Sequence, residues 1–134
     1  MKMRDRDLFK AKRLDNGEWV VWNALTGIPH VTSIIQDTIC QCTGLKDNNG
    51  KLSWENDIVE FQFDNEDCPF PNKDTKKRKG KVFFSDYRAS FSIAMGIRVS
   101  KSLNDDLFKY IQCGNRVKVI GNIFDDSELL ESKE

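Results

Sequence analysis

Four cysteines and one histidine are the residues of this chain best suited to holding a metal or building a nucleophile. Cys40 and Cys42 are separated by one residue, while Cys68 and Cys113 lie far along the chain. Zinc sites favour Cys-x-x-Cys or wider pairs, because the ion needs slack to close a tetrahedron. Cys40-x-Cys42 is tighter, and no Cys-x-x-Cys pair exists. On a strand both thiols would share one face, where free cysteines serve as small buried apolar groups. No metal or other cofactor is therefore expected. His30 would have to be the base of any nucleophile–base pair. It follows Pro29 in an apparent loop with no neighbouring Ser or Cys in a catalytic pattern, and reads as an ordinary loop histidine.

The carboxylates offer little more. Asp47-Asn48-Asn49-Gly50 superficially suggests a calcium loop but lacks alternating ligands and a downstream bidentate Glu. It reads as a turn, with Asx side chains bonding nearby backbone and Gly50 supplying positive φ. Asp64, Glu66 and Asp67 belong to a solvated acidic stretch. Asp57 opens a strand after a turn, so its expected task is accepting backbone hydrogen bonds in the bend. The strongest functional hint is basic: Lys73, Lys76, Lys77, Arg78, Lys79 and Lys81. Such a run can neutralise phosphates, and Phe70 and Tyr87 lie close enough in sequence to add stacking. The preferred reading is a solvated loop balanced by the acidic stretch before it.

These residues must be positioned by a β-rich chain. Leu8 to Arg13 and Glu18 to Asn23 form a predicted hairpin around Asn16-Gly17, a strong turn signal. Trp19 and Val21 fall on one face and Val20 and Trp22 on the other, so this strand is expected to be buried on both sides. Val31 to Ile35 and Thr38 to Thr43 are further strand candidates. Asn49-Gly50 marks a second reversal, and Asp57 to Phe63 alternates apolar and polar residues. Residues 64 to 80, broken by Pro69 and Pro71, read as a long surface loop. Lys81 to Ser85 and Ala89 to Ile97 follow as strands joined through Asp86-Tyr87-Arg88. Leu103 to Ile111 carries an apolar helical stripe after Ser102. Val117 to Ile120 is the last strand, Gly121-Asn122 bends the chain, and Asp125 to Leu130 forms a short helical turn. This order, without βαβ alternation, predicts a mainly β (β-rich α+β) domain: a bent-sheet pseudo-barrel capped by one α-helix. The aromatics Trp19, Trp22, Trp54, Phe83 and Phe84 are expected in its core, unless exposure of Trp22 and Phe84 reveals a subunit interface.

A chain of 134 residues can bury a core without staples, so one domain over 1–134 is expected. With 21 basic and 21 acidic side chains the net charge is zero, which argues against bulk nucleic-acid binding while leaving room for a local patch. No apolar run reaches membrane-spanning length. The charged stretch from Met1 to Arg13 lacks the apolar segment of a signal peptide. The expectation is a cytoplasmic protein with reduced cysteines and no membrane contact.

Four ordered segments carry a resemblance: Lys12 to Trp19 with its Asn16-Gly17; Cys42 to Lys51 with Gly44, Leu45 and Gly50, running on to Asn56-Asp57-Ile58-Val59; Gly80 to Phe84; and Val119 to Phe124 with Gly121-Asn122, followed by Glu128-Leu129-Leu130. Together they resemble the YopX family of small phage and prophage proteins, from about Lys12 to Leu130. The resemblance implies a β pseudo-barrel capped by a helix, a phage or prophage origin, and action inside a bacterial host cell. It implies no reaction and no catalytic residues. Asn16, Gly17, Trp19, Gly44, Leu45, Gly50, Asp57, Gly121 and Asn122 are its structural positions. Three departures stand out. Asn56 replaces the family's usual Gly before the strand-opening aspartate, and Asn tolerates left-handed angles. Ser127 replaces a common Pro, and a long basic insertion spans about 71 to 80.

The function expected is that of a non-enzymatic accessory protein, working as a protein-interaction module. Its expected partners are further copies of itself and a host or phage protein. The alternative is a small nucleic-acid-binding module that uses the basic loop 73–81, with Lys76, Lys77, Arg78, Lys79 and Tyr87 as contacts.

Overall fold

A computed structural model describes residues 4–28, 33–62, 77–86, 89–95, 104–112 and 116–131. Nine strands and two short helices occupy them: β1 (Leu8–Lys12), β2 (Trp19–Asn23), β3 (Cys40–Lys46), β4 (Leu52–Trp54), β5 (Asp57–Gln62), β6 (Lys77–Ser85), β7 (Ser90–Met95), β8 (Asn104–Asp106), α1 (Leu107–Gln112), β9 (Val117–Asn122) and α2 (Glu128–Glu131). The strands form two antiparallel sheets, ordered β2-β1-β3-β4 and β8-β7-β6-β5-β9. The mainly β class expected from turn spacing holds. The sheets are open and do not close into the expected barrel. Among the described residues the outer strands β2, β4, β8 and β9 each pair on one side only.

The turn chemistry sets the first sheet. Gly17 takes φ 71°, and its N–H donates to the Arg13 carbonyl at 2.9 Å, closing the first hairpin as read from Asn16-Gly17. Lys10 then pairs with Val21 and Lys12 with Trp19. The second reversal also turns at Gly50, with φ 81°, but it returns into β4, which was not anticipated. Three residues are too few for an alternation to show in sequence. Of the expected strand Val31–Ile35, the described part makes only a single bridge, Ile34 to Arg13.

The core belongs to the second sheet. Val59 and Phe61 on β5, Val82 on β6, Ile93 on β7, and Val117 and Val119 on β9 pack with Leu107 and Tyr110 of α1. Leu45, half-buried on β3, closes against this cluster from the first sheet. The helix begins at Leu107, four residues later than its apolar stripe suggested, because Asn104–Asp106 pair with β7 as β8. Leu103 and Ser102 lie outside the described residues. Gly121-Asn122 extends β9 rather than ending it. The bend read there is a register shift between the Ile58–Gly121 and Val59–Val119 pairs.

Buried carboxylates tie the two sheets together. Asp47, after β3, receives the N–H groups of Asn49 at 2.9 Å and Lys51 at 2.8 Å on one oxygen, and that of Val119 on β9 at 2.9 Å on the other. The Asn48 N–H donates to the Val117 carbonyl at 2.8 Å beside it. The Asx-turn reading of Asp47 is correct, but it missed this link to β9, which has no local sequence signal.

Two substitutions test the packing. Asp47→Ala strands three backbone donors, one of them buried, and is expected to cost about 2–4 kcal/mol in urea unfolding. A Cβ on Gly80 would collide with the Ile93 side chain and stand 2.8 Å from the Ala94 carbonyl oxygen. Gly80→Ala is therefore expected to lose about 1–3 kcal/mol by the same measurement.

Candidate interaction surfaces

The most densely connected surface lies at the seam between the sheets. The Lys10 ammonium stands 4.5 Å from the Trp19 ring and 4.8 Å from the Trp54 ring, a cation held between two indoles. Trp19 is fixed on its other side. Its indole N–H donates to Asp125 at 2.9 Å, and its ring meets Phe124 edge-on at 5.9 Å. Asp125 also pairs with Lys12 and accepts from the Asn122 amide at 3.1 Å. The Asn122 side-chain oxygen in turn accepts the N–H groups of Phe124 at 2.9 Å and Asp125 at 3.0 Å, building the turn after β9. The Lys12 ammonium, followed by the Trp19 N–H, holds the Asp125 carboxyl down at about 2.

Asp57 sits beneath this seam, 3% exposed. It accepts the Trp54 N–H at 2.8 Å across the tight β4–β5 turn, the backbone role expected of it. Between them Asn56 adopts φ 70°, so it occupies the left-handed position of the family's glycine. Its N–H donates to the Val82 carbonyl at 2.8 Å, joining the turn to the second sheet. Burial raises the Asp57 carboxyl to about 6, against the opposing pull of Lys10. Gly121 serves the same seam. A Cβ there would stand 2.6 Å from the Asp126 carboxylate, whose oxygen receives the Asn122 N–H at 3.2 Å.

The remaining family positions are structural. The Asn16 side-chain oxygen accepts the Glu18 N–H at 2.9 Å in the exposed hairpin turn. Gly44 takes φ 80° on β3, with the Arg6 side chain against it. Cys40 and Cys42 are buried free thiols on β3, and burial pushes both thiols up, so they behave as small apolar groups. His30, Cys68, Cys113, Asp64, Glu66, Asp67, Phe70, Lys76 and Tyr87 lie outside the described residues.

The family model for the YopX protein matches residues 1–131. The chain belongs to the YopX family. No curated protein matches it. Within this YopX chain, the aromatics expected in a barrel core are instead distributed over the seam and the sheet surfaces. Trp19, Trp22, Trp54 and Phe83 are half-buried and Phe84 is exposed. Trp22 stacks on Phe9 with centroids 6.2 Å apart. Trp22 is half-buried, so the expected sign of an interface, exposure of both Trp22 and Phe84, is not met. The β2 strand is not buried on both sides either. It is the outer strand of its sheet, with Val21 51% exposed.

The basic run is corrected as well. Lys77, Arg78 and Lys79 stand on β6 rather than in a loop, paired with Gln62, Phe61 and Glu60 of β5. The β6 ladder begins at Lys77, inside the stretch read as a loop. No described helix is long and apolar enough to cross a membrane.

The seam predicts a pH response of two opposite signs. Asp57 binds its proton more tightly folded than unfolded, so folding takes up a proton between about pH 4 and 6. Its contribution is fully present below the unfolded value near 3.8 and is lost as pH rises through about 6. The loss is about 2–3 kcal/mol. Asp125 acts inversely, and its contribution disappears as pH falls from 3.8 through about 2. Urea midpoints are expected to peak near pH 4, and Asp57→Asn is expected to flatten the decline between about pH 4 and 6.

Proposed function

We propose that this YopX-family chain is a non-enzymatic phage accessory protein that acts in the bacterial cytoplasm by protein–protein association, starting with a second copy of itself. The observation that carries the proposal is β2. Among the described residues Trp19-Val20-Val21-Trp22-Asn23 is an outer strand, with no charge, proline or bulge within it. Natural edge strands are protected by such features, and an edge lacking them is a template for another strand. Its centre, Val21, is exposed, as are Leu14 and Leu25 beyond its two ends.

Association through β2 favours an isologous pair. A two-fold axis normal to the sheet keeps each face continuous, so an antiparallel pairing must join residues of like face. Val21 then lies opposite its own counterpart, Val20 opposite Trp22, and Trp19 opposite Asn23. Trp19 and Trp22 are braced on opposite faces by Asp125 and Phe9, which holds the strand extended before any partner arrives. Three of the described carboxylates have structural tasks, which favours this reading over an enzyme. Asp47 and Asp57 are committed to backbone N–H groups and Asp125 to Lys12 and Trp19.

Light scattering with size exclusion tests the reading. The chain is expected to run as a dimer. Val21→Glu places two carboxylates together on the two-fold, while within each protomer the new side chain faces Lys10. It is expected to give a folded monomer with unchanged far-UV dichroism, and Val21→Thr is expected to remain dimeric. A monomeric parent at every concentration, or a dimeric Val21→Glu variant, overturns the proposal.

A further inference from the structure

Asn-Gly occurs twice in this chain, at Asn16-Gly17 and Asn49-Gly50. A glycine amide carries no Cβ beside it, so its nitrogen can approach the preceding side chain closely. Once turned toward the asparagine Cγ, that nitrogen can attack it. The N–Cγ bond forms, the Cγ–Nδ2 bond breaks, and Nδ2 leaves as ammonia, taking the glycine amide proton. Water then opens the cyclic imide at either carbonyl. One product is aspartate; the other is isoaspartate, in which the main chain runs through Cβ. Both asparagines are exposed, but the fold holds them differently. The Asn16 side-chain oxygen accepts the Glu18 N–H at 2.9 Å, and its Nδ2 donates to the Glu18 carboxylate at 3.4 Å. The Gly17 N–H is engaged with the Arg13 carbonyl as well. Among the described residues the Asn49 side chain has no hydrogen bond; only its backbone N–H is held, by Asp47. The Gly50 N–H donates to the Asp47 carbonyl at 3.0 Å. Each glycine must therefore release one backbone bond, but only Asn16 must also free its side chain.

We propose that Asn49 is a site of spontaneous modification, where attack by the Gly50 amide yields isoaspartate ahead of Asn16 and loosens the Asp47 junction. The consequence follows from what Asp47 holds. One of its oxygens receives the N–H groups of both Asn49 and Lys51, at 2.9 and 2.8 Å. The chain between those two donors passes through Asn49 and Gly50. Isoaspartate lengthens that path by a methylene, so the two donors no longer converge on one acceptor. It also places a new carboxylate in the same turn as the buried Asp47 carboxylate, and like charges in one turn repel. The second Asp47 oxygen receives the Val119 N–H of β9. A change confined to an exposed turn is thereby carried to the meeting of the two sheets. Water is the only co-reactant, and association at β2 plays no part in the reaction.

Incubating the whole chain at mildly alkaline pH, below its melting temperature, tests the proposal. Samples taken over time are peptide-mapped by mass spectrometry, and isoaspartate is assigned by methylation with a protein isoaspartyl methyltransferase. Conversion at Asn49 is expected to be at least about fivefold faster than at Asn16, the factor set by roughly one net hydrogen bond. In concentrated urea the two rates are expected to be alike, because the turns are then gone. The fraction converted at Asn49 is expected to unfold at a lower urea midpoint than the fresh chain. Asn49→Gln, incubated in parallel, is expected to keep its starting midpoint, since its longer side chain closes a larger and slower ring. Equal or faster conversion at Asn16 in the folded chain overturns the proposal. So does an equally large difference in urea, or a converted fraction whose midpoint matches that of the fresh chain.

Discussion

The Asp47 carboxylate is the constraint on which this architecture depends. Two open sheets meet in this chain, and each leaves backbone donors at its ends that its own ladder cannot satisfy. A buried N–H without an acceptor costs as much as a lost hydrogen bond, so the junction needs acceptors supplied by side chains. Asp47 supplies them at one end, taking two donors from its own turn and one from β9. Asp57 does the same for the β4–β5 turn. Barrel closure would have removed these open ends by pairing strands to one another. This fold instead places carboxylates where the strands stop.

That choice explains the opposed electrostatics of neighbouring aspartates. Asp57 is desolvated and has one backbone donor, with Lys10 held off among the indoles, so burial dominates. Asp125 keeps contact with water and touches Lys12 directly, so pairing dominates. Both lie on one seam, and their distance from solvent decides the sign.

Local features of this fold were readable in the sequence. Asn16-Gly17 and Asn49-Gly50 each announced a reversal through positive φ, and Asn56 was placed correctly at a left-handed position because so few residue types tolerate it. Alternation found β5, whose Val59 and Phe61 are buried. The apolar stripe found α1 but not its start, since Asn104 to Asp106 are drawn into β-pairing by a neighbour that no local pattern reveals. The same limit applies to the seam. Trp19, Asp57 and Asn122 were each recognisable, but nothing in sequence spacing brings position 19 to position 125, or position 47 to position 119. The basic run was found as a composition and misplaced as a loop. Its place on β6 depends on pairing with Glu60, Phe61 and Gln62 of β5, which no local pattern reveals.

The placement of the indoles has a practical corollary. All three tryptophans belong to β2 and β4, while the second sheet packs around Phe61 and Tyr110. Selective excitation of tryptophan therefore observes one half of the molecule. Trp19 meets Phe124 and Asp125, which follow β9 of the second sheet, so its emission registers the parting of that junction, whether or not the larger core has yet melted. The chain carries its own optical gauge of that junction, and comparing it with backbone dichroism distinguishes separation of the halves from collapse of the whole.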